Sequence, residues 1–186
     1  GEEGAVCQGG ALAVERGRQL AFRSPGILAF GSTLMPRQDD TANDASDGKP
    51  GLNESYGAPY AVSLKPFLSP LGLPCQQPPW GYVAGLDLRS GEVVWKHRNG
   101  TVRDQSPVPV PFKMGVPDLG GPMVTAGGVA FMSGTLDDYV RAYDVTTGEQ
   151  LWEQRLPAGG QATPMTYLDS QGRQRVLVVA GGHGSL

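Results

Sequence analysis

The sequence predicts an all-β fold made of a repeated unit, and the last blades of a β-propeller in particular. Its 186 residues include 28 glycines and 16 prolines, which separate short apolar runs in the way that tight turns separate strands. One hairpin-like unit occurs twice with its Asp, Gly and Trp at the same spacing, and such self-similarity indicates a repeat architecture. The net charge of -3 offers no broad basic surface, so nucleic acid is not an expected partner.

The repeated unit consists of a strand, a tight turn and a returning strand. The first copy spans residues 81–96 and the second spans residues 139–153. In each copy, Gly and small polar residues separate two apolar runs, which is typical of a hairpin. The shared residues are Asp87, Gly91 and Trp95 in the first copy and Asp144, Gly148 and Trp152 in the second, 57 residues further along.

Two more pairs of apolar runs complete the repeat. Residues 121–134 precede the second copy, and residues 163–181 follow it. Each period therefore contains about four strands, which is the make-up of a propeller blade. A small sheet with two apolar faces is stable only when it is stacked on its neighbours. We therefore expect the uninterrupted apolar run at residues 176–180 to be buried.

The sequence divides into three segments. Residues 1–37 are predicted to be a divergent strand segment of the propeller. Residues 38–56 are rich in Asp, Asn, Gly and Ser and are predicted to be a flexible loop. Residues 57–186 are predicted to be propeller blades, and their first part, residues 57–80, is expected to form an extended segment that lies over a core.

The printed sequence shows neither a leader-like pattern at its start nor an apolar run of membrane-spanning length. The chain starts without Met and without the basic and then apolar pattern of a leader. No apolar run approaches the roughly 18 residues that span a bilayer. We therefore expect a piece that is cut from a longer protein at both ends, with any anchoring segment upstream.

Several conspicuous residues have a structural explanation. Asp87 and Asp144 recur in both copies, so we expect carboxylates that accept hydrogen bonds from nearby N–H groups in turns, and not catalytic groups. The two repeated tryptophans are expected to pack between blades, with each indole N–H donating to a carbonyl. His97 is expected to be a solvated loop residue. Cys7 and Cys75 leave two alternatives open, one disulfide or none.

Two polar residues follow strand ends one repeat apart. His183 lies between glycines that let a ligand approach the backbone closely, and both a turn histidine and a binding histidine remain open. Asp137 takes the matching place in the preceding repeat, where the residues alone favour a polar turn. Loops at matching strand ends of adjacent blades converge on one surface, so both residues are candidates for a binding site. The sequence contains no GxSxG, HExxH or P-loop pattern.

The second copy of the repeat, residues 142–152, has the pattern Ala-x-Asp-x-x-Thr-Gly-x-x-x-Trp. This pattern resembles the tryptophan-docking motif of PQQ-dependent quinoprotein dehydrogenases, which are eight-bladed propellers. Flanking segments are similar to the membrane-bound glucose dehydrogenase branch of that family, from about residue 57 to residue 186. These segments include residues 57–60, 67–75, 79–82, 109–112, 119–122, 156–167 and 181–185.

The resemblance implies a fragment from the C-terminal part of an enzyme that oxidises an aldose such as glucose to its lactone. Electrons would pass through PQQ to ubiquinone, on the periplasmic side of the inner membrane. A Ca²⁺ or Mg²⁺ ion would polarise the quinone as a Lewis acid. The resemblance places Asp137 and His183 near PQQ, and links the aspartate to electron transfer toward ubiquinone.

The resemblance also implies what this chain lacks. The catalytic base and the membrane segment are expected upstream, and the ligands of the metal ion are expected outside this fragment, so the fragment alone is expected to be inactive. Two alternatives to a glucose dehydrogenase remain. One is a non-catalytic propeller scaffold with similar repeats, and the other is a quinoprotein that acts on an alcohol or polyol.

Overall fold

The computed structural model describes residues 10–15, 18–23, 30–36, 52–53, 59–107 and 109–182. The predicted all-β class is confirmed, because these residues form thirteen strands and no helix. It follows that none of the described residues belongs to a helix that could cross a membrane. Of the segment predicted to be a flexible loop, only residues 52–53 are described, and they form a short strand.

The first blade is a four-stranded antiparallel sheet with the order β1-β2-β6-β7. Its last two strands form the hairpin that the first copy of the repeat predicts. A bulge follows Gly85, and the carboxylate of Asp87 accepts a hydrogen bond from the Arg89 N–H at 2.8 Å. The strands are β1 (Gly10–Glu15), β2 (Arg18–Arg23), β6 (Tyr82–Asp87) and β7 (Val93–Arg98).

The second blade repeats this arrangement with the order β8-β9-β10-β11. The equivalent bulge follows Ala142, and the Asp144 carboxylate accepts from the N–H groups of Thr146 at 2.8 Å and Thr147 at 2.9 Å. The predicted turn role of both aspartates is therefore confirmed. The strands are β8 (Met123–Val124), β9 (Val129–Met132), β10 (Tyr139–Asp144) and β11 (Gln150–Arg155).

Two smaller sheets complete the described structure. One is a hairpin of β12 (Met165–Leu168) and β13 (Gln174–Leu177). The other has the order β3-β5-β4 and lies in the chain between β2 and β6. The sequence did not predict this second sheet. Its strands are β3 (Phe30–Pro36), β4 (Leu52–Asn53) and β5 (Tyr60–Pro66).

The two blades share one apolar core. Leu20 and Val83 of the first blade pack against a buried group in the second. Trp95 closes this interface, because its indole N–H donates to the Val145 carbonyl of the second blade at 3.0 Å. The predicted docking of this tryptophan is therefore confirmed, whereas Trp152 is 48% exposed and its docking stays a prediction. The buried residues of the second blade are Ala130, Met132, Tyr143 and Val145.

One prediction about burial is wrong, and another is met only in part. The apolar run at residues 176–180 is not buried, since β13 ends at Leu177 and Val179 is 57% exposed. In the part of the chain that the structure describes, the β12–β13 hairpin pairs with no further strand. The prediction of an extended segment over a core at residues 57–80 is met only in part: β5 is extended, but the loop after it closes on itself and leaves Phe67 61% exposed. Near the end of the segment, Trp80 is buried in an apolar cluster with Val102 and Val116, and Leu73 packs against this cluster.

The prediction for His97 is correct in its exposure but wrong in placing the residue in a loop. This residue lies within β7 and not in a loop, because the strand continues for two residues past Lys96. Its imidazole stacks on the indole of Trp95, with the ring centroids 5.8 Å apart. Its Nε2 lies 3.2 Å from the Thr147 carbonyl oxygen of the second blade. His97 therefore covers the outer side of the docked tryptophan while remaining exposed.

Candidate functional site

Several connections meet at one end of the blades. The connection from β9 to β10 carries Asp137, and the chain after β13 leads to His183. Because successive strands of a blade are antiparallel, the second-to-third connection and the crossing to the next blade leave from the same end. We call this the connection end. It contains the crossings at residues 99–122 and 156–164, together with residues 133–138 and 178–182.

Hydrogen bonds tie these connections together. The Ser133 hydroxyl donates to the carbonyl oxygens of Gly160 at 2.9 Å and Ala162 at 3.1 Å. The Gly182 N–H donates to the Gly159 carbonyl at 2.8 Å. The stretches that carry Asp137 and His183 therefore attach to the same crossing. His183 itself lies outside the described residues, as does Cys7.

The carboxylate of Asp137 is fully buried, with no exposed surface. Its Oδ2 accepts hydrogen bonds from the Thr101 N–H at 2.7 Å and the Thr101 hydroxyl at 3.1 Å. Its Oδ1 accepts from Arg141 Nη1 at 3.0 Å, and Arg141 Nη2 contacts Oδ2. Asp137 of the second blade is thereby joined to the crossing that arrives from the first blade.

Arg141 balances the charge of Asp137. It lies in the middle of β10, is buried, and also donates to the Thr135 hydroxyl at 2.9 Å. Its Nε lies 3.3 Å from a carboxylate oxygen of Glu153 on β11, and its guanidinium lies 4.9 Å from the centre of the Tyr139 ring. This guanidinium therefore links the connection to two strands of its own blade.

The ion pair keeps both groups charged despite their burial. Burial alone would raise the pKa of Asp137, but the hydrogen bond and charge of Arg141, with further bonds from Thr135 and Thr101, hold that pKa below its ordinary value of 3.8. Burial would likewise lower the pKa of Arg141, but the hydrogen bond and charge of Asp137 hold that pKa above its ordinary value. A buried pair of this kind needs both partners, since a single buried charge is costly.

The free energy of unfolding should therefore depend on Asp137 at acidic pH. A carboxyl with a lowered folded pKa stabilises the fold above its unfolded pKa, and this stabilisation is lost as the pH falls through the folded pKa. We expect denaturant unfolding from pH 6 to about pH 2 to show a steeper loss of stability below about pH 4 in the natural protein than in Asp137→Asn. Equal slopes in the two proteins would contradict the lowered pKa.

A second buried polar group adjoins this pair. The Tyr143 hydroxyl donates to Asn99 Oδ1 at 2.7 Å, and Asn99 Nδ2 lies 3.3 Å from the sulfur of Met132. Burial raises the pKa of Tyr143, so the phenol stays neutral and can donate. The crossing at residues 99–101 is thus held at two successive points by polar side chains of the second blade.

The glycines at the connection end differ in their surroundings. A Cβ placed on Gly134 would lie 2.0 Å from the Gly120 nitrogen, so this approach is filled by backbone. A Cβ on Gly181 or Gly182 would meet no atom of the described residues within 4 Å, so the stretch before His183 faces open space in this part of the structure. Within the described ranges, no three or more His, Cys, Asp or Glu side chains cluster to hold a metal ion.

The chain matches the PQQ family described as the glucose/ethanol/alcohol dehydrogenase β-propeller domain over residues 2–176. The quinoprotein glucose dehydrogenase of Escherichia coli (strain K12) is 52% identical over 186 residues, which cover 95% of this chain and 23% of that protein. The quinate/shikimate dehydrogenase (quinone) of Acinetobacter baylyi is 42% identical over 184 residues, which cover 93% of this chain and 23% of that protein.

One solved structure supports the same fold. A europium-containing methanol dehydrogenase superposes with a TM-score of 0.57 and 24% identity, over 94% of this chain and 24% of that one. The chain spans about a quarter of the length of the curated relatives that it matches. Since the family match includes both blades and the connections between them, the chain belongs to the PQQ-dependent dehydrogenase family of β-propellers.

Proposed function

We propose that this chain is part of a quinoprotein dehydrogenase that oxidises an aldose such as glucose to its lactone and passes the electrons to ubiquinone. The supporting observation is the 52% identity with a glucose dehydrogenase across nearly the whole chain, against 42% with a quinate/shikimate enzyme. Bound PQQ would supply the two-electron acceptor that protein side chains cannot provide.

The cofactor would lie at the connection end. His183 follows glycines that face open space, and an imidazole that donates hydrogen bonds suits a ligand with three carboxylates. Asp137 belongs to the same end, as part of the connections that would border the cofactor. We place the catalytic base and the ligands of a Ca²⁺ or Mg²⁺ ion outside the described residues.

The working location would be the periplasmic side of the inner membrane, with the anchor in another part of the protein. This placement suits ubiquinone, which is dissolved in the bilayer, and a sugar that arrives from outside. An apolar anchor of roughly 20 residues would be needed to span the membrane.

Reconstitution of the full-length protein tests the proposal. Purified protein in detergent is loaded with PQQ and either Mg²⁺ or Ca²⁺, and dye reduction is followed with glucose, quinate or glycerol as the substrate. We expect reduction to depend on PQQ and to be fastest with glucose. Faster reduction with quinate or glycerol would favour a polyol dehydrogenase, and absence of PQQ binding would favour a non-catalytic scaffold.

A further inference from the structure

We infer that Arg141 is a positioning residue of the cofactor site, and that Asp137 acts through it and not by touching the cofactor. Together they fasten the crossing at residues 99–101 to the connection at residues 133–138. This inference rests on the proposed function, because it concerns how the connection end is shaped to receive PQQ. The contacts that support it are those of Asp137 and Arg141 with their neighbours in the described part of the chain.

Asp137 has no surface to offer a ligand. Its side chain is wholly buried, and Thr101 and Arg141 between them supply four hydrogen-bond contacts to its two oxygens. Its negative charge is matched by the guanidinium that it contacts. A substitution here can therefore reach a cofactor only by moving the two stretches of chain that the carboxylate joins.

The crossing is shaped so that it presents a donor to this carboxylate. Gly100 has a φ of +86°, a conformation that other residues rarely adopt, and the turn brings the next N–H, that of Thr101, to within 2.7 Å of Asp137 Oδ2. On its other side the crossing is held by Val116, whose N–H donates to the Asn99 carbonyl at 2.8 Å. Removal of Asp137 would therefore remove the hydrogen bonds to Thr101 and leave the Val116–Asn99 hydrogen bond on the other side.

Arg141 does not belong to the repeated sequence pattern of the two blades. The equivalent residue of the first blade is Ala84, which is also buried. Arg141 reaches Asp137, Thr135 and Glu153 at once through its planar guanidinium. The single ammonium of a lysine cannot reproduce this set of directed contacts, so Arg141→Lys should behave as a loss of function and not as a conservative change.

The test compares four variants in the full-length protein: Arg141→Gln, Arg141→Lys, Asp137→Asn and the double variant Asp137→Asn/Arg141→Gln. Arg173→Gln is the matched control, because Arg173 forms an exposed ion pair with Asp169 in the turn between β12 and β13, away from the connection end. Two quantities are measured on folded protein below its melting temperature. They are the dissociation constant for PQQ, from quenching of tryptophan fluorescence, and the hydrogen-exchange rate of the Thr101 amide in the cofactor-free protein.

We expect Arg141→Gln and Arg141→Lys each to weaken PQQ binding about tenfold or more, as loss of a supporting residue behind a ligand site commonly does. Asp137→Asn should match them, and the double variant should lose no more than either single variant. Exchange at Thr101 should accelerate about tenfold in the Arg141 variants, since its acceptor is no longer held in place. Saturating PQQ should restore turnover, and Arg173→Gln should change neither quantity.

Two results would overturn the inference. If Arg141→Gln lowers the melting temperature but leaves the PQQ dissociation constant unchanged, the pair stabilises the fold without positioning the site. If Asp137→Asn weakens PQQ binding and Arg141→Gln does not, Asp137 contacts the cofactor directly. Failure of the unmodified protein to bind PQQ would overturn the proposed function itself and the role of Arg141 with it.

Discussion

Replacing Trp95 by Ala is expected to lower the free energy of unfolding by about 3 kcal/mol, because the substitution removes a large ring from a closed interface. The indole lies between two glycines, Gly85 of its own blade and Gly148 of the next. A Cβ placed on either glycine would lie 2.4 Å from an indole atom. The ring therefore fills the space that these glycines leave, and its N–H bonds to the Val145 carbonyl across the interface.

The effect is measured by thermal and denaturant unfolding of the full-length protein. Trp95→Phe should cost less, about 1–2 kcal/mol, because it keeps an aromatic ring but loses the hydrogen bond to Val145. His97→Ala is the control, since His97 stacks on the same indole but is exposed, and it should cost under about 0.5 kcal/mol. If Trp95→Ala is as mild as His97→Ala, the two blades are not joined by this tryptophan.

The hairpins of both blades could be predicted because their determinants are local. Asp87 and Asp144 each bond to an N–H two residues further on, and Gly91 and Gly148 each have a positive φ in the following turn. Such short-range contacts leave the same signature wherever the turn occurs. These local turn contacts set the phase of the repeat. The phase in turn shows at which end of the blades Asp137 lies.

Burial could not be predicted in the same way, because it depends on what covers a strand. An apolar run such as Val176-Leu177-Val178-Val179 indicates a strand with two apolar faces, but it does not state whether a neighbouring sheet is present. In the described structure Val176 and Leu177 are exposed. His97 shows a related limit, since the pattern of polar residues did not reveal that β7 continues past Lys96.

The ion pair of Asp137 was missed at the sequence level although a signal for it was present. The two copies of the repeat differ inside their third strands, where Ala84 is replaced by Arg141 and Leu86 by Tyr143. A cation and a phenol that replace apolar residues in a buried strand need polar partners. The cation bonds to Asp137 and Thr135, which lie four and six residues before it in the connection to β10. The phenol bonds to Asn99, which lies 44 residues away in the sequence, so only the fold could identify that partner.

Replacing Gly81 by Ala is expected to destabilise the protein by about 3 kcal/mol or more, because the new Cβ has no room. It would lie 1.9 Å from the Val116 carbonyl oxygen, which is a backbone atom and cannot rotate away. The same contact fixes the crossing that carries Thr101, since the Asn99 N–H donates to the Gly81 carbonyl at 3.1 Å and the Val116 N–H donates to the Asn99 carbonyl.

A shift of the backbone at Gly81 should therefore alter the connection end as well as lower the stability of the protein. Gly127→Ala is the matched control, because a Cβ on Gly127 would meet no atom within 4 Å and its melting temperature should stay within about 2 °C of the natural protein. Gly81→Ala should lower the melting temperature by about 6 °C or more and accelerate exchange at Thr101. If its melting temperature matches that of Gly127→Ala, the crossing does not depend on this close backbone contact.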